Sequence, residues 1–296
     1  MTSLTRRNLL RSGAASATLA AAGCVTVASP PARKSLGLAP ITVSKELAKD
    51  YAGTLRKVGA MGYTHFGFAL AQMDPRIPPG PPARDIASMV RDAGMQVGVV
   101  RYGLARPGEE QFAEAAAIGA SIVAYTAAPV FFQGGKLGTT TRAAFDAWLP
   151  ELGKLAQQAR AAGLRLAFHN HFWDHHPLDG ETPLEIIART YSPADVAFEI
   201  DLAWAKLGGR DPLALVEKYG SRVVSMHFKD VAAARGPDMF SQLVAPGEGD
   251  LDYATLVPKL DALTDGVGYV EVDNPADGLA AAETGARTIL AARGES

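Results

Sequence analysis

From residue 36 onward, short apolar runs alternate with amphipathic stretches, and the period switches between the two. The runs are Leu36–Pro40, Tyr63–Phe68, Gln96–Val100, Ser121–Thr126, Leu164–His169, Val196–Asp201, Arg222–His227 and Val267–Val272. Runs this short, apolar on both faces, predict buried parallel strands. The stretches between them predict helices near 44–61, 83–94, 109–118, 141–163, 182–190, 212–219 and 252–263, with a last one at 277–293. Gly62, Gly94, Gly163 and Gly220 stand where helices should stop, because a left-handed residue ends a helix most easily when it is glycine. Eight strand–helix units in about 260 residues give the size of a single (β/α)8 barrel, an α/β fold. The rival, an open doubly wound sheet, lacks its Gly-x-Gly-x-x-Gly turn after the first strand. Pro75–Pro82 lies between the second strand and second helix, and reads as a loop on the active face.

The N-terminal segment does not follow this pattern. Thr5-Arg6-Arg7-Asn8-Leu9-Leu10-Arg11 leads into an Ala-rich stretch to Ala22, which resembles a twin-arginine export signal. Ala21-Ala22-Gly23-Cys24 is similar to a lipoprotein cleavage box, with Ala where Leu is preferred; Ala20-Ala21-Ala22 would serve ordinary cleavage. The expectation is a signal over residues 1–24, a linker over 25–35 and a barrel over 36–296, in an exported, periplasmic protein with Cys24 as a candidate lipid anchor.

The body is 48% hydrophobic and 20% charged across the whole chain, an ordinary globular balance. Residues 1–23 carry Arg6, Arg7 and Arg11 and no acid, so their removal takes the net charge from −2 to −5. A mildly acidic body without a basic stripe argues against a nucleic-acid partner. Cys24 is the only cysteine, which excludes disulfides and thiolate metal clusters. A homodimer is compatible with a barrel of this size, and no surface stripe marks one.

In such barrels the chemistry sits where strands end. The last four strands finish in His169-Asn170-His171, Glu199-Ile200-Asp201, His227-Phe228-Lys229-Asp230 and Glu271-Val272-Asp273. The first four finish in Pro40, Phe68, Arg101 and Thr126. His169, Asp201, His227 and Glu271 would face one mouth, and this mix of imidazole and carboxylate suits Mn, Co, Zn or Fe better than Ca. Lys229, two residues past His227, shares its face if the strand persists. Beside a cation its pKa would fall, suiting it to proton transfer or to holding a substrate oxygen. Trp204 is placed to stack on a sugar ring. Asp174, His175 and His176 read as a loop that either faces water or joins the site, and so do the acids of Pro246-Gly247-Glu248-Gly249-Asp250.

These residues carry a family likeness. From about Leu36 to Leu290 the chain resembles the xylose-isomerase-like barrels of the sugar phosphate isomerase/epimerase type, in an exported branch that often bears a twin-arginine signal. The likeness rests on Leu47-Ala48-Lys49-Asp50, Gly53-Thr54-Leu55-Arg56-Lys57-Val58, His169-Asn170-His171, Phe198-Glu199-Ile200-Asp201-Leu202-Ala203-Trp204 and Gly209-Arg210-Asp211-Pro212. It continues through His227-Phe228-Lys229-Asp230, Gly247-Glu248-Gly249-Asp250 and Val270-Glu271-Val272-Asp273-Asn274-Pro275. The resemblance implies metal ligands on strands 5 to 8, the last three being Asp201, His227 and Glu271. The first is His169, Asp174 or His171. It also implies sugar-binding groups at the ends of strands 2 and 3, where this chain has Phe66-Gly67-Phe68-Ala69 and Arg101-Tyr102. Arg101, His171 and Trp204 are the expected substrate contacts, and Glu271 and Lys229 the catalytic residues, candidates for the base that removes the α-proton. The implied activity is proton transfer next to a carbonyl on a sugar or keto-sugar, giving isomerisation, epimerisation or, with a leaving group, elimination on a 3-keto-glycoside or keto-polyol. Metal-dependent phosphodiester cleavage would need more histidines and a basic groove. A non-catalytic sugar-binding protein on an inherited barrel is the reading outside enzymes.

Overall fold

Parallel strands buried on both faces need helices outside them, and a closed ring satisfies every strand edge. The computed structural model describes residues 34–295 apart from 70–75, 78, 104, 134–135, 236–237 and 239. Its strands are β1 (Leu36–Leu38), β2 (His65–Ala69), β3 (Gln96–Tyr102), β4 (Ile122–Tyr125), β5 (Arg165–His169), β6 (Ala197–Asp201) and β7 (Val223–Phe228), then a short antiparallel ribbon of β8 (Asp230–Val231) and β9 (Leu243–Val244), then β10 (Val267–Val270). β1 to β7 and β10 form a closed parallel barrel, sealed by β10 against β1 through Leu36–Gly268, Gly37–Tyr269 and Leu38–Val270. The connections hold α1 (Ser44–Leu47), α2 (Tyr51–Ala60), α3 (Ala83–Asp92), α4 (Glu109–Ala117), α5 (Arg142–Ala161), α6 (Pro183–Thr190), α7 (Leu202–Leu207), α8 (Pro212–Tyr219), α9 (Tyr253–Leu263) and α10 (Gly278–Ala292). The (β/α)8 expectation therefore holds. The twin-arginine segment, Cys24 and most of the linker lie outside the described residues.

Several boundaries differ for local reasons. The helix expected over 44–61 is two helices, because Asp50 adopts an extended conformation and caps α2 by accepting the Gly53 N–H at 2.8 Å. β1 stops at Leu38, since Pro40 opens a 3-10 turn over Pro40–Val43. β3 runs on to Tyr102. β10 stops at Val270, although the Glu271 N–H still bonds the Phe228 carbonyl at 3.1 Å and keeps Glu271 in register. Gly94 and Gly163 end their helices at φ of 78° and 76°, as expected of left-handed caps.

Inside the ring, the lower layer is apolar and small: Val99, Ala124, Ala167, Ala197 and Tyr269. The Tyr269 ring fits because β1 offers Gly37 and β3 offers Gly98, where a Cβ would come within 2.3 and 2.4 Å of it. Arg101 lies across this floor with its guanidinium 4.4 Å from the Tyr269 ring centroid. Gly67 makes room for it from β2, since a Cβ there would stand 2.5 Å from Arg101 Nη1. The glycine in Phe66-Gly67-Phe68 is thus a packing requirement of the charged layer above.

Asp230 organises the loop after β9. Its buried carboxylate accepts four backbone N–H groups: Val231 at 2.8 Å, Gly247 and Gly249 at 3.1 Å, and Leu251 at 2.9 Å. Glu248 and Asp250 are left exposed by this arrangement, so the loop acids do not line the mouth. Asp230→Ala strands those donors. Hydrogen bonds to a charged group contribute roughly 1.5–3 kcal/mol each, so a loss on the order of 3 kcal/mol in urea unfolding is expected.

Candidate active site and metal centre

Strand alternation turns His169, Glu199, Asp201, Ser225 and His227 inward, and register sets His169 beside Glu199 and Asp201 beside His227. Asn170 brackets the ends of β5 and β6. Its Oδ1 accepts the Asp201 N–H at 2.9 Å, its Nδ2 donates to the Asp201 carbonyl at 3.2 Å, and Nδ2 lies 3.0 Å from His175 Nε2. Asp201 also caps α7, accepting the Trp204 N–H at 2.9 Å. Two independent constraints therefore aim the remaining oxygen, Asp201 Oδ2. The cap explains α7, six residues that no periodicity in the sequence could reveal.

Donor atoms of His169, Asp201 and His227 lie within 4.8 Å of one another, all on buried residues. His227 Nδ1 is 3.5 Å from Asp201 Oδ2 and 3.1 Å from Glu271 Oε2. Lys229 reaches the same place from above, its Nζ 2.6 Å from Glu271 Oε1, 2.7 Å from Asp273 Oδ2 and 3.2 Å from Asp201 Oδ2. Arg76 approaches Asp273 at 3.3 Å from the rim.

The residues fit a divalent cation on two grounds. Asp201 Oδ2 and both ring nitrogens of His227 are buried without a hydrogen-bond partner, although opposite charges stand close by. Buried polar atoms of that kind call for a partner. The donor chemistry points the same way: two imidazoles and a carboxylate converge on one point, a set that suits a zinc-like or transition-metal ion. His169, Asp201 and His227 would hold the ion, with Glu271 as the adjoining fourth donor.

Burial alone would favour neutral groups throughout, and neighbours decide the exceptions. Burial pulls His227 down, but the Glu271 and Glu199 carboxylates win and push it up to about 10. Burial raises Asp201, yet Lys229 and His227 hold it at about 2. Glu271 is likewise held well below the carboxylate range, against burial, by His227 and Lys229. Burial keeps His169 and His171 neutral, the latter strongly so. Lys229, which burial would deprotonate, is held protonated by Asp201, Asp273 and Glu271. Three acids, one on β6 and two just after β10, surround the ammonium in the metal-free site; the lowered lysine pKa expected beside a cation concerns the metal-loaded site.

Three further residues have different places from those expected. Asp174 sits in a 3-10 turn, Phe172–His175, where its Oδ2 accepts the His171 N–H at 2.8 Å. Burial pushes it up to about 8, and it stands outside the converging donor group. Arg101, 6% exposed, is committed to Glu199 through both oxygens, at 2.9 and 2.6 Å, leaving only Nη1 unpaired. Trp204, 2% exposed, carries Lys229 5.5 Å from its ring centroid, so it is a wall of the mouth and not an open stacking platform. His171 does line the mouth, stacked on Trp173 with centroids 4.5 Å apart. His175 serves the Asn170 bracket, and His176 is exposed. Glu199 is the residue that strand-end reading passed over; its signal was an acid two positions before Asp201, on the same inward face.

Residues 55–292 match the xylose isomerase-like TIM barrel family, and the chain belongs to that family. It is 27% identical over 114 residues to the inosose dehydratase of Lacticaseibacillus casei, a match covering 34% of this chain and 38% of that protein. The chain therefore aligns with well under half of that relative. Among solved structures it resembles a sugar phosphate isomerase/epimerase from Parabacteroides distasonis ATCC 8503, with a TM-score of 0.69, 19% identity, and 91% and 98% of the two chains covered. It also resembles the IOLI protein solved with a bound zinc atom, with a TM-score of 0.63, 14% identity, and 87% and 97% covered. At these identities the two structures share its fold.

The raised pKa of His227 has a definite sign. In metal-free protein its stabilising charge is fully present below the unfolded value of 6.5 and is lost as pH rises through about 10. Asp201 contributes above its unfolded 3.8 and loses that contribution as pH falls through about 2. Unfolding free energy of metal-free protein is expected to fall between pH 7 and pH 10, measured by urea titration. Metal uptake at pH 7 is expected to release a proton from His227, measured by calorimetry in buffers of different ionisation enthalpy.

Proposed function

We propose that this protein is a divalent-metal-dependent enzyme that moves a proton next to a carbonyl on a sugar or keto-sugar, giving isomerisation or epimerisation. The observation that carries this reading is the convergence of His169, Asp201 and His227, with Glu271 and Lys229 beside them, in one buried mouth at the C-terminal end of the barrel. A divalent ion bound there supplies Lewis-acid polarisation of the substrate carbonyl.

The chain's own residues divide the remaining work. Glu271, ionised and lining the mouth, accepts the proton from the carbon beside the carbonyl. Lys229 keeps its proton and binds a substrate oxygen or returns a proton to the neighbouring carbon. Arg101 Nη1 and His171 offer hydrogen bonds to hydroxyls. A leaving group one carbon further on would turn the same proton removal into an elimination, and the likeness to an inosose dehydratase supports that second outcome. The mouth itself, about 50 Å³, adjoins a cavity of about 390 Å³ across Pro40, Ala69 and Ile77. Ligand pockets usually span about 300–1,000 Å³, so the pair accommodates a substrate whose bulk extends past the reacting carbons, as in a 3-keto-glycoside. A purely sugar-binding role predicts affinity without turnover.

The twin arginine and Cys24 support export to the periplasm, with or without a lipid anchor. Cell fractionation tests this: Arg6→Lys/Arg7→Lys is expected to leave unprocessed protein in the cytoplasm.

Metal analysis of natively produced protein is expected to find about one equivalent of Mn, Co, Zn or Fe, lost in His227→Ala. Glu271→Gln is expected to lower kcat by roughly 10²–10⁴-fold. The readout is exchange of substrate C–H protons with D2O across keto-sugars and 3-keto-glycosides. Full turnover by Glu271→Gln would remove it as the base. Binding with no turnover by the wild type would leave only the sugar-binding reading.

A further inference from the structure

Beneath the metal donors lies a carboxylate that the proton transfer does not use. Glu199 is wholly buried inside the barrel on β6. Arg101 grips both oxygens, Nε to Oε1 at 2.9 Å and Nη2 to Oε2 at 2.6 Å, and Ser225 Oγ donates to Oε2 at 2.5 Å. Oε1 faces two histidines besides: His169 Nδ1 and His227 Nε2, each 3.2 Å away, the second off the hydrogen-bond line. A simple ion pair in the barrel core would need only Arg101 and Glu199. One carboxylate oxygen turned to two imidazoles does something more.

An ionised carboxylate accepts hydrogen bonds and donates none, so each ring nitrogen facing it carries the proton. On His169 this leaves the lone pair on Nε2, on a ring that lines the mouth. On His227 the other nitrogen, Nδ1, faces Asp201 Oδ2 and Glu271 Oε2 and carries a proton of its own until an ion takes its place. A ligand histidine is commonly fixed in this way by a carboxylate on its far nitrogen. Here one carboxylate would serve two.

We propose that Glu199 is the positioning residue of the metal centre: pinned by Arg101 and Ser225, it sets opposite tautomers on His169 and His227, so that Nε2 of the first and Nδ1 of the second face the cation. The proposal rests on the metal-site reading above and extends it to a residue outside the ligand set. Arg101 acts one step further back, by holding Glu199 ionised and in place, and Gly67 gives Arg101 the room to do so.

The test titrates metal-free wild-type and Glu199→Gln protein with Zn²⁺ and records the visible bands of the Co²⁺-loaded forms. The amide keeps the shape but carries no charge and can donate, so it frees the tautomer choice. The Zn²⁺ dissociation constant is expected to rise about 10–100-fold and the Co²⁺ bands to shift. Wild-type affinity with unchanged bands would overturn the proposal. Glu199→Gln could misfold by leaving Arg101 charged and unpaired. Glu199→Gln/Arg101→Met then removes both charges and should show the same weakening; if it binds Zn²⁺ as tightly as wild type, Glu199 merely balances Arg101 and the proposal fails. On the unmutated protein, ¹⁵N spectra of the Zn²⁺ form should show N–H at Nδ1 of His169 and Nε2 of His227. Other tautomers would overturn it. Wild-type protein that takes up no ion would remove the metal-site reading, and the proposal with it, which distinguishes the two failures.

Discussion

Charge buried inside the barrel is the constraint on which the rest of the structure depends. Glu199, Asp201 and Glu271 meet within a ring of apolar strands, where an unpaired ion costs several kcal/mol and cannot be tolerated. Arg101 and Lys229 answer two of those charges directly. The sequence of the distant strands follows from that need. Gly67 on β2 is small so that the Arg101 guanidinium can cross the interior, and Gly37 on β1 is small so that Tyr269 can lie flat as the floor beneath it. One half of the barrel is thus hollowed out to serve ions held by the other half.

That asymmetry explains what was legible in the sequence. An ionisable residue at the end of an apolar run stands out, so His169, Asp201, His227 and Glu271 could be read from β5, β6, β7 and β10 without a structure. Parity along a strand then gave their shared face. The interactions that escaped reading are those that cross the barrel. Nothing local to β3 says that Arg101 spans the interior to Glu199. Nothing local to β7 says that Lys229 is surrounded by acids from β6 and from the segment after β10, which hold it protonated in the metal-free site. Short segments escaped too. α7 exists because Asp201 caps it, and the break before α2 exists because Asp50 turns extended to cap the next helix. In both, a single side chain overrides periodicity.

The structure also separates the two expected acid–base residues by charge state. Glu271 and Lys229 touch at 2.6 Å, yet each stabilises the ionised form of the other. A carboxylate held ionised is a modest base, which is the right strength only if the proton it takes has already been made acidic by a polarised neighbouring carbonyl. A lysine held protonated cannot open the reaction, but it can hold the oxygen that gains charge as the reaction proceeds. In the proposed reaction the pair would be poised for a step whose driving polarisation comes from elsewhere in the same mouth.

Holding unpaired donors close together is unfavourable for the fold, and the surrounding scaffold shows how the protein sustains it. Asp201 is fixed on three sides: its N–H and carbonyl by Asn170, and one carboxylate oxygen by the Trp204 N–H. Its other oxygen cannot swing away to find a hydrogen bond. His227 sits on β7 between β6 and β10, with ring nitrogens facing acids on both sides. Any ion that binds this arrangement and not the unfolded chain stabilises the native state by mass action. The rigidity of β5 to β7, the Asn170 bracket and the Arg101–Glu199 pair thus keep the site unrelaxed, and an unrelaxed site is what gives ion binding its free energy.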